Sequence, residues 1–130
     1  MEALELLERA LEVEYRFILY YPRLSRIMPT PELGEKVRQL GESSRWHAEV
    51  TSTAISRLGG AVGVPTIESL PENGDLKELF TRQLEFEKLA LWLHSRASEL
   101  VPQDLKPFFI TIVEQERQHS RLTEEILAAL

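Results

Sequence analysis

Glu114-Gln115-Glu116-Arg117-Gln118-His119 sets a carboxylate, Glu116, three residues ahead of an imidazole, His119, inside a long amphipathic stretch. Residues at i and i+3 share a helix face. The apolar residues on either side, Leu105, Phe109, Ile112, Ile126 and Leu130, recur at helical spacing, and their seam runs through Glu116, His119 and Thr123. An ionisable pair is therefore expected to face the core. Burying a carboxylate costs several kcal/mol unless it is paired or coordinates a metal, so the pair calls for partners on other helices.

Working outward, the rest of the chain supplies three more such seams. From residue 2 to about 27, Leu4, Leu7, Leu11, Ile18 and Tyr21 alternate by three and four, with Glu14 in the slot between Leu11 and Ile18. Pro22 cannot donate to the backbone ladder and is expected to kink this helix, because Leu24, Ile27 and Met28 continue the apolar pattern before Pro29-Thr30-Pro31 breaks it. Thr30 as N-cap and Pro31 at the first position start a second helix, to about Leu58, which Gly59-Gly60 ends. Its seam is Val37, Leu40, Ser44, His47, Thr51, Ile55 and Leu58. Residues 59–74 have no helical period and include Asn73-Gly74. They read as a loop that, at ~3.3 Å per residue, could cross the length of a bundle. Asp75 caps a third helix to about Leu100, with seam Leu76, Phe80, Leu84, Glu87, Leu91 and His94. Pro102 breaks it, and Asp104 is expected to cap the fourth helix, with Pro107 in its first turn.

Depth along the helices ties these seams together. Glu14 lies 15 residues before Pro29, and Ser44 and His47 lie 15 and 18 after it; Glu87 lies 15 before Pro102, and Glu116 and His119 lie 14 and 17 after it. At 1.5 Å per residue all of them sit roughly 21–27 Å from their own turn. The halves also repeat, Glu14 and His47 being 33 apart and Glu87 and His119 32 apart. The expected fold is all-α: an antiparallel four-helix bundle, two helical hairpins joined by a long crossover loop, with one polar layer and a single domain over residues 1–130.

The 130 residues, 43% hydrophobic and 28% charged, fit one such domain. The net charge of −6 works against nucleic acid, whose affinity rests on Lys and Arg neutralising phosphates. No apolar run approaches a membrane span, and the acidic start Met1-Glu2-Ala3-Leu4-Glu5 is unlike a signal peptide. The lack of cysteine fits a reducing cytoplasm. Expected partners therefore include neither nucleic acid nor membrane, and the expected location is cytoplasmic.

Three glutamates and two histidines at one depth, Glu14, His47, Glu87, Glu116 and His119, are candidate metal ligands. Carboxylate with imidazole suits iron, manganese or zinc. The competing reading is a degenerate bundle, structural or interaction-mediating, whose polar layer is satisfied by hydrogen bonds and water. His94, two turns or about 10.5 Å from Glu87, reads as a capped or partly exposed residue near the bundle end. Trp46 and Trp92 read as packing residues.

The pattern resembles the ferritin-like superfamily, closest to bacterioferritin and the rubrerythrin group, in which two helices each give a Glu and two each give Glu-x-x-His. The resemblance covers nearly the whole chain: Glu14 to Tyr21, His47-Ala48 through Leu58-Gly59-Gly60, Leu84-Glu85-Phe86-Glu87, and Glu116 to His119. It implies a di-iron carboxylate site in which Glu14 and His47 hold one metal, Glu87 and His119 the other, and Glu116 bridges them. Oxygen or peroxide would be the oxidant and ferroxidase- or peroxidase-like chemistry the outcome. The second bridging Glu is replaced by Ser44, which implies weaker activity, or one ion in place of two. Arg45, where bacterioferritin carries its haem-ligating Met, implies no haem, and zero cysteines exclude a rubredoxin module. Because the chain ends at Leu130 with the fourth helix, a homodimer is expected rather than a cage. Phe17, Tyr20 and Trp46 are the candidate two-fold patch.

Overall fold

The computed structural model describes residues 2–71 and 74–130; Met1 and, from the expected loop, Glu72 and Asn73 lie outside the described residues. Among the described residues it is an all-α four-helix bundle with no strand. Helix α1 is Ala3–Arg26, α2 is Pro31–Arg57, α3 is Leu76–Ser98 and α4 is Lys106–Ala129, the last preceded by a short 3-10 turn, Gln103–Leu105. The short links make α1 and α2, and α3 and α4, packed neighbours, while α1 against α3 and α2 against α4 close the core. No helix among the described residues is long and apolar enough to cross a membrane.

The local signals act through identifiable bonds. Thr30 accepts from the Leu33 N–H at 3.2 Å, and Asp75 accepts from the Lys77 N–H at 3.4 Å, so both N-caps form as read. At the end of α2, Gly59 takes φ +82°. Its N–H bonds Ser56 O at 3.0 Å, and that of Gly60 bonds Ile55 O at 2.9 Å. This Schellman pattern needs the left-handed conformation that glycine adopts without strain. α1 continues through Pro22 to Arg26. Asp104 does not cap α4: the N-cap residue is Leu105 with no side-chain cap bond. Asp104 instead takes a two-pronged bond from Arg57, at 2.9 and 3.0 Å, tying the end of α2 to the link before α4.

The buried stripe of α1 is wider than a two-position seam: Leu6, Leu7, Ala10, Leu11, Val13, Glu14, Phe17, Tyr20, Tyr21 and Leu24. The reason is that α1 faces both α2 and α3, so its apolar residues fall at i, i+3, i+4 and i+7. Each large apolar side chain so buried contributes about 1.5–3 kcal/mol. Phe17 is 0% and Tyr20 7% exposed, which removes both from the expected dimer patch. Leu58, expected to close the α2 seam, is half-exposed because it lies past the last helical turn. The loop is pinned to α1 by the Tyr20 hydroxyl, which donates to the Glu68 carbonyl, and by buried Leu70.

Two glycines let α2 approach α1 closely. A Cβ on Gly34 would meet the Ser25 carbonyl oxygen at 2.9 Å, and one on Gly41 would meet the Tyr21 Cβ at 3.0 Å. This contact fixes the height of Tyr21, whose hydroxyl reaches the polar layer.

Candidate metal centre

All five sequence-nominated residues enter the interior: Glu14, His47, Glu87 and Glu116 are 0% exposed and His119 is 7%. Among the described residues, two groups bring their ligand-type atoms within 4.8 Å of one another, Glu14 with His47 and Glu116, and Glu87 with Glu116 and His119. Glu116 belongs to both. Its Oε1 lies 2.7 Å from His47 Nδ1, and its Oε2 lies 3.9 Å from His119 Nδ1, so its two oxygens face different groups. Each helix gives at least one member, and buried Glu/His sets of this kind could bind a metal.

On the Glu14 side, His47 Nδ1 donates to Glu14 Oε1 at 3.3 Å and Nε2 donates to Gln115 Oε1 at 2.7 Å. Oxygens face both ring nitrogens, a setting that favours the imidazolium form. Burial opposes that charge, but the facing Glu116 and Glu14 carboxylates outweigh it and lift the pKa to about 10. On the Glu87 side, Tyr21 donates its hydroxyl to Glu87 Oε1 at 2.5 Å. Burial pushes the Glu87 carboxyl well above its usual range, and the neighbouring Glu116 charge pushes it further. The Glu116 carboxyl is likewise raised, by burial and then by the Glu14 charge, with His47 opposing. Burial drives His119 down to about 4, so its ring is neutral.

Several polar atoms in this layer have no hydrogen-bond partner among the described residues: Glu14 Oε2, Glu87 Oε2, Glu116 Oε2 and His119 Nδ1, while Glu116 Oε1 is in ion-pair contact with His47. Orphaned buried carboxylate oxygens are costly, and cations are the partners that would satisfy several at once. The donor chemistry, three carboxylates and two imidazoles, fits first-row divalent ions.

Sequence reading misplaced His94. It is fully buried, and its Nε2 lies 3.0 Å from Glu14 Oε1, the oxygen that His47 also approaches. Counting from the turns set Glu14 level with Glu87; the structure instead pairs Glu14 with His94 and Tyr21 with Glu87. Both steps, 14 to 21 and 87 to 94, are seven residues, which was the signal available for this pairing. Gln115 and Gln83 were also passed over. Gln115 lies next to the Glu116 seam position, and Gln83, 2% exposed, occupies the core slot assigned to Leu84. Ser44 does face the interior, fully buried, with its hydroxyl turned back to Leu40 O at 3.2 Å. Trp46 is partly buried against the core and Trp92 is largely exposed.

Compared with family models, curated proteins and solved structures, the chain finds no match in any of the three.

Proposed function

We propose that this chain is a ferritin-like bundle whose polar layer binds two divalent ions, iron or manganese, and supports redox chemistry with oxygen or peroxide. The observation that carries the reading is the convergence of unpartnered Glu14 Oε2, Glu87 Oε2, Glu116 Oε2 and His119 Nδ1 in one buried layer. Glu14, His47 and Glu116 would hold one ion, and Glu87, Glu116 and His119 the other. The bound ions would supply the electron transfer. Glu116 would serve both ions, Gln115 holds His47 Nε2, and Tyr21 holds Glu87. To serve as a ligand, His47 gives up the proton that its carboxylate neighbours now stabilise.

Contacts between helices support the antiparallel, ferritin-like arrangement of the reading. Between α1 and α2 the paired residues are Ser25 with Gly34, Tyr21 with Gly41 and Glu14 with His47, so one number falls as the other rises. Between α1 and α3 they are Tyr21 with Glu87 and Glu14 with His94.

A metal-free structural bundle is the second reading, favoured by the charge pairing of His47 and by the self-satisfied Ser44 hydroxyl. Elemental analysis of protein purified without chelator or His-tag, together with a ferrous oxidation assay, separates the two. About two equivalents of metal per chain are expected. Absence of metal, with no binding of added Fe(II), Mn(II) or Zn(II), would leave the structural bundle standing.

A further inference from the structure

We infer that His94 is a positioning residue of this centre: its Nε2–H holds Oε1 of Glu14 and so reserves Oε2 for the metal. The inference rests on the metal-binding reading above. His94 lies outside both ligand groups, and its Nε2 contacts Glu14 Oε1, the oxygen that His47 Nδ1 also approaches at 3.3 Å. It is fully buried, its ring 6.0 Å from that of Phe109 and 6.1 Å from that of His47, centroid to centroid. A carboxylate oxygen 3.0 Å from Nε2 fixes that nitrogen as the donor. Nδ1 has no partner among the described residues. An apolar residue would fill this slot without leaving a buried acceptor unsatisfied, so the hydrogen bond to Glu14 is what an imidazole adds.

The Glu87 side is built on the same plan. Tyr21 donates to Glu87 Oε1 and leaves Oε2 unpartnered, as His94 donates to Glu14 Oε1 and leaves its Oε2 unpartnered. The two donors come from opposite helices of one pair, His94 from α3 onto α1 and Tyr21 from α1 onto α3. Each terminal carboxylate is therefore offered to metal through one oxygen. Partners of this kind orient ligands, and their loss typically costs about 10–100-fold in metal affinity.

The test is titration of metal-free protein with Mn(II), bound ion being read from the loss of the free-ion EPR signal, and with Co(II), read by visible absorption. Wild type is expected to take two ions. His94→Leu should weaken one of them by about 10–100-fold and leave the other in place, with a changed Co(II) spectrum for the weakened ion only. His94→Gln keeps an N–H donor and should restore much of the affinity, while Tyr21→Phe should weaken the opposite ion. Equal weakening of both ions, or of neither, by His94→Leu in a protein that still binds two would overturn the positioning role and leave the metal reading intact. Failure of wild type to bind either ion would overturn both. Nitrogen-15 NMR of the wild-type imidazoles gives a check independent of how the variants fold: the His94 proton must be on Nε2, and finding it on Nδ1 would overturn the inference.

Discussion

The two sides of the polar layer share Glu116 but reach electrical balance in different ways. On the Glu14 side an imidazolium, His47, sits between carboxylates and a glutamine carbonyl. On the Glu87 side the imidazole of His119 is neutral, 3.9 Å from Glu87 and Glu116. The carboxyl there is instead kept towards its protonated form, held through Oε1 by Tyr21. One side offsets buried negative charge with a cation of its own, and the other suppresses that charge by holding a proton. A buried carboxylate is thus tolerated by either route, and both routes leave a proton for a metal ion to displace.

Removing what the sides share should have the largest effect. Glu116→Ala takes one ligand from each group, so binding of both ions is expected to fall by more than the roughly 10–100-fold typical of losing an outer partner. Calorimetric titration checks this, and loss of only one ion would break the assignment of Glu116 to both sides. Next is Ser44→Glu, which gives α2 a carboxylate one turn before His47 and makes the halves more alike. Without metal it should destabilise by about 2–4 kcal/mol, since it adds an acid to a fully buried layer, lowering the melting temperature by roughly 10 °C. With Fe(II) or Mn(II) the order should reverse. If the variant melts no lower than wild type without metal, and metal raises neither midpoint, position 44 does not face a metal layer.

Changing pH sharpens the contrast between the histidines. The folded pKa of His47, about 10, lies above its usual 6.5, so its stabilising contribution is complete below pH 6.5 and fades as pH rises through 10. His94 and His119, at about 4, behave oppositely: their contribution is complete above 6.5 and is lost as pH falls towards 4. The raised carboxyls of Glu87 and Glu116 act in the same direction as His47, their contribution being lost as pH rises above the ordinary 4.5. Metal-free protein is therefore expected to melt highest near pH 6.5–7 and to lose roughly 5–10 °C by pH 10. Metal affinity should increase over the same alkaline range, because metal replaces the protons. A flat melting profile from pH 7 to 10 would contradict the imidazolium on the Glu14 side. The smallest effect belongs to Asp104→Ala, which breaks an exposed pair with Arg57 away from both sides. Melting should barely move, as is usual for exposed ion pairs, and metal titration should not change.

Much of this architecture was legible because helix signals are local. Thr30, Asp75 and Gly59-Gly60 mark ends through bonds within a few residues, and the α4 seam from Leu105 to Ile126 follows the helical period closely. What failed needed knowledge of neighbouring helices. Phe17 and Tyr20 lie beyond a single seam and are buried because α1 has two packing partners. Gln83 takes the core slot expected of Leu84 for want of a known rotation of α3. His94 was placed by backbone rise along α3 from Glu87, whereas the structure sets its partner by the register of α3 against α1. Asp104 has the residue type of an N-cap, but Arg57, 47 positions earlier, takes its carboxylate.

Glu116 is proposed to join two metal ions in one layer, and Mn(II) EPR of the loaded protein tests this most directly. Two ions sharing a carboxylate are spin-coupled, so wild type at two equivalents should give a broad multiline signal, and Glu116→Gln should give only the six-line pattern of isolated Mn(II). An isolated six-line signal from wild type at every loading, or no bound Mn(II) at all, would contradict the account.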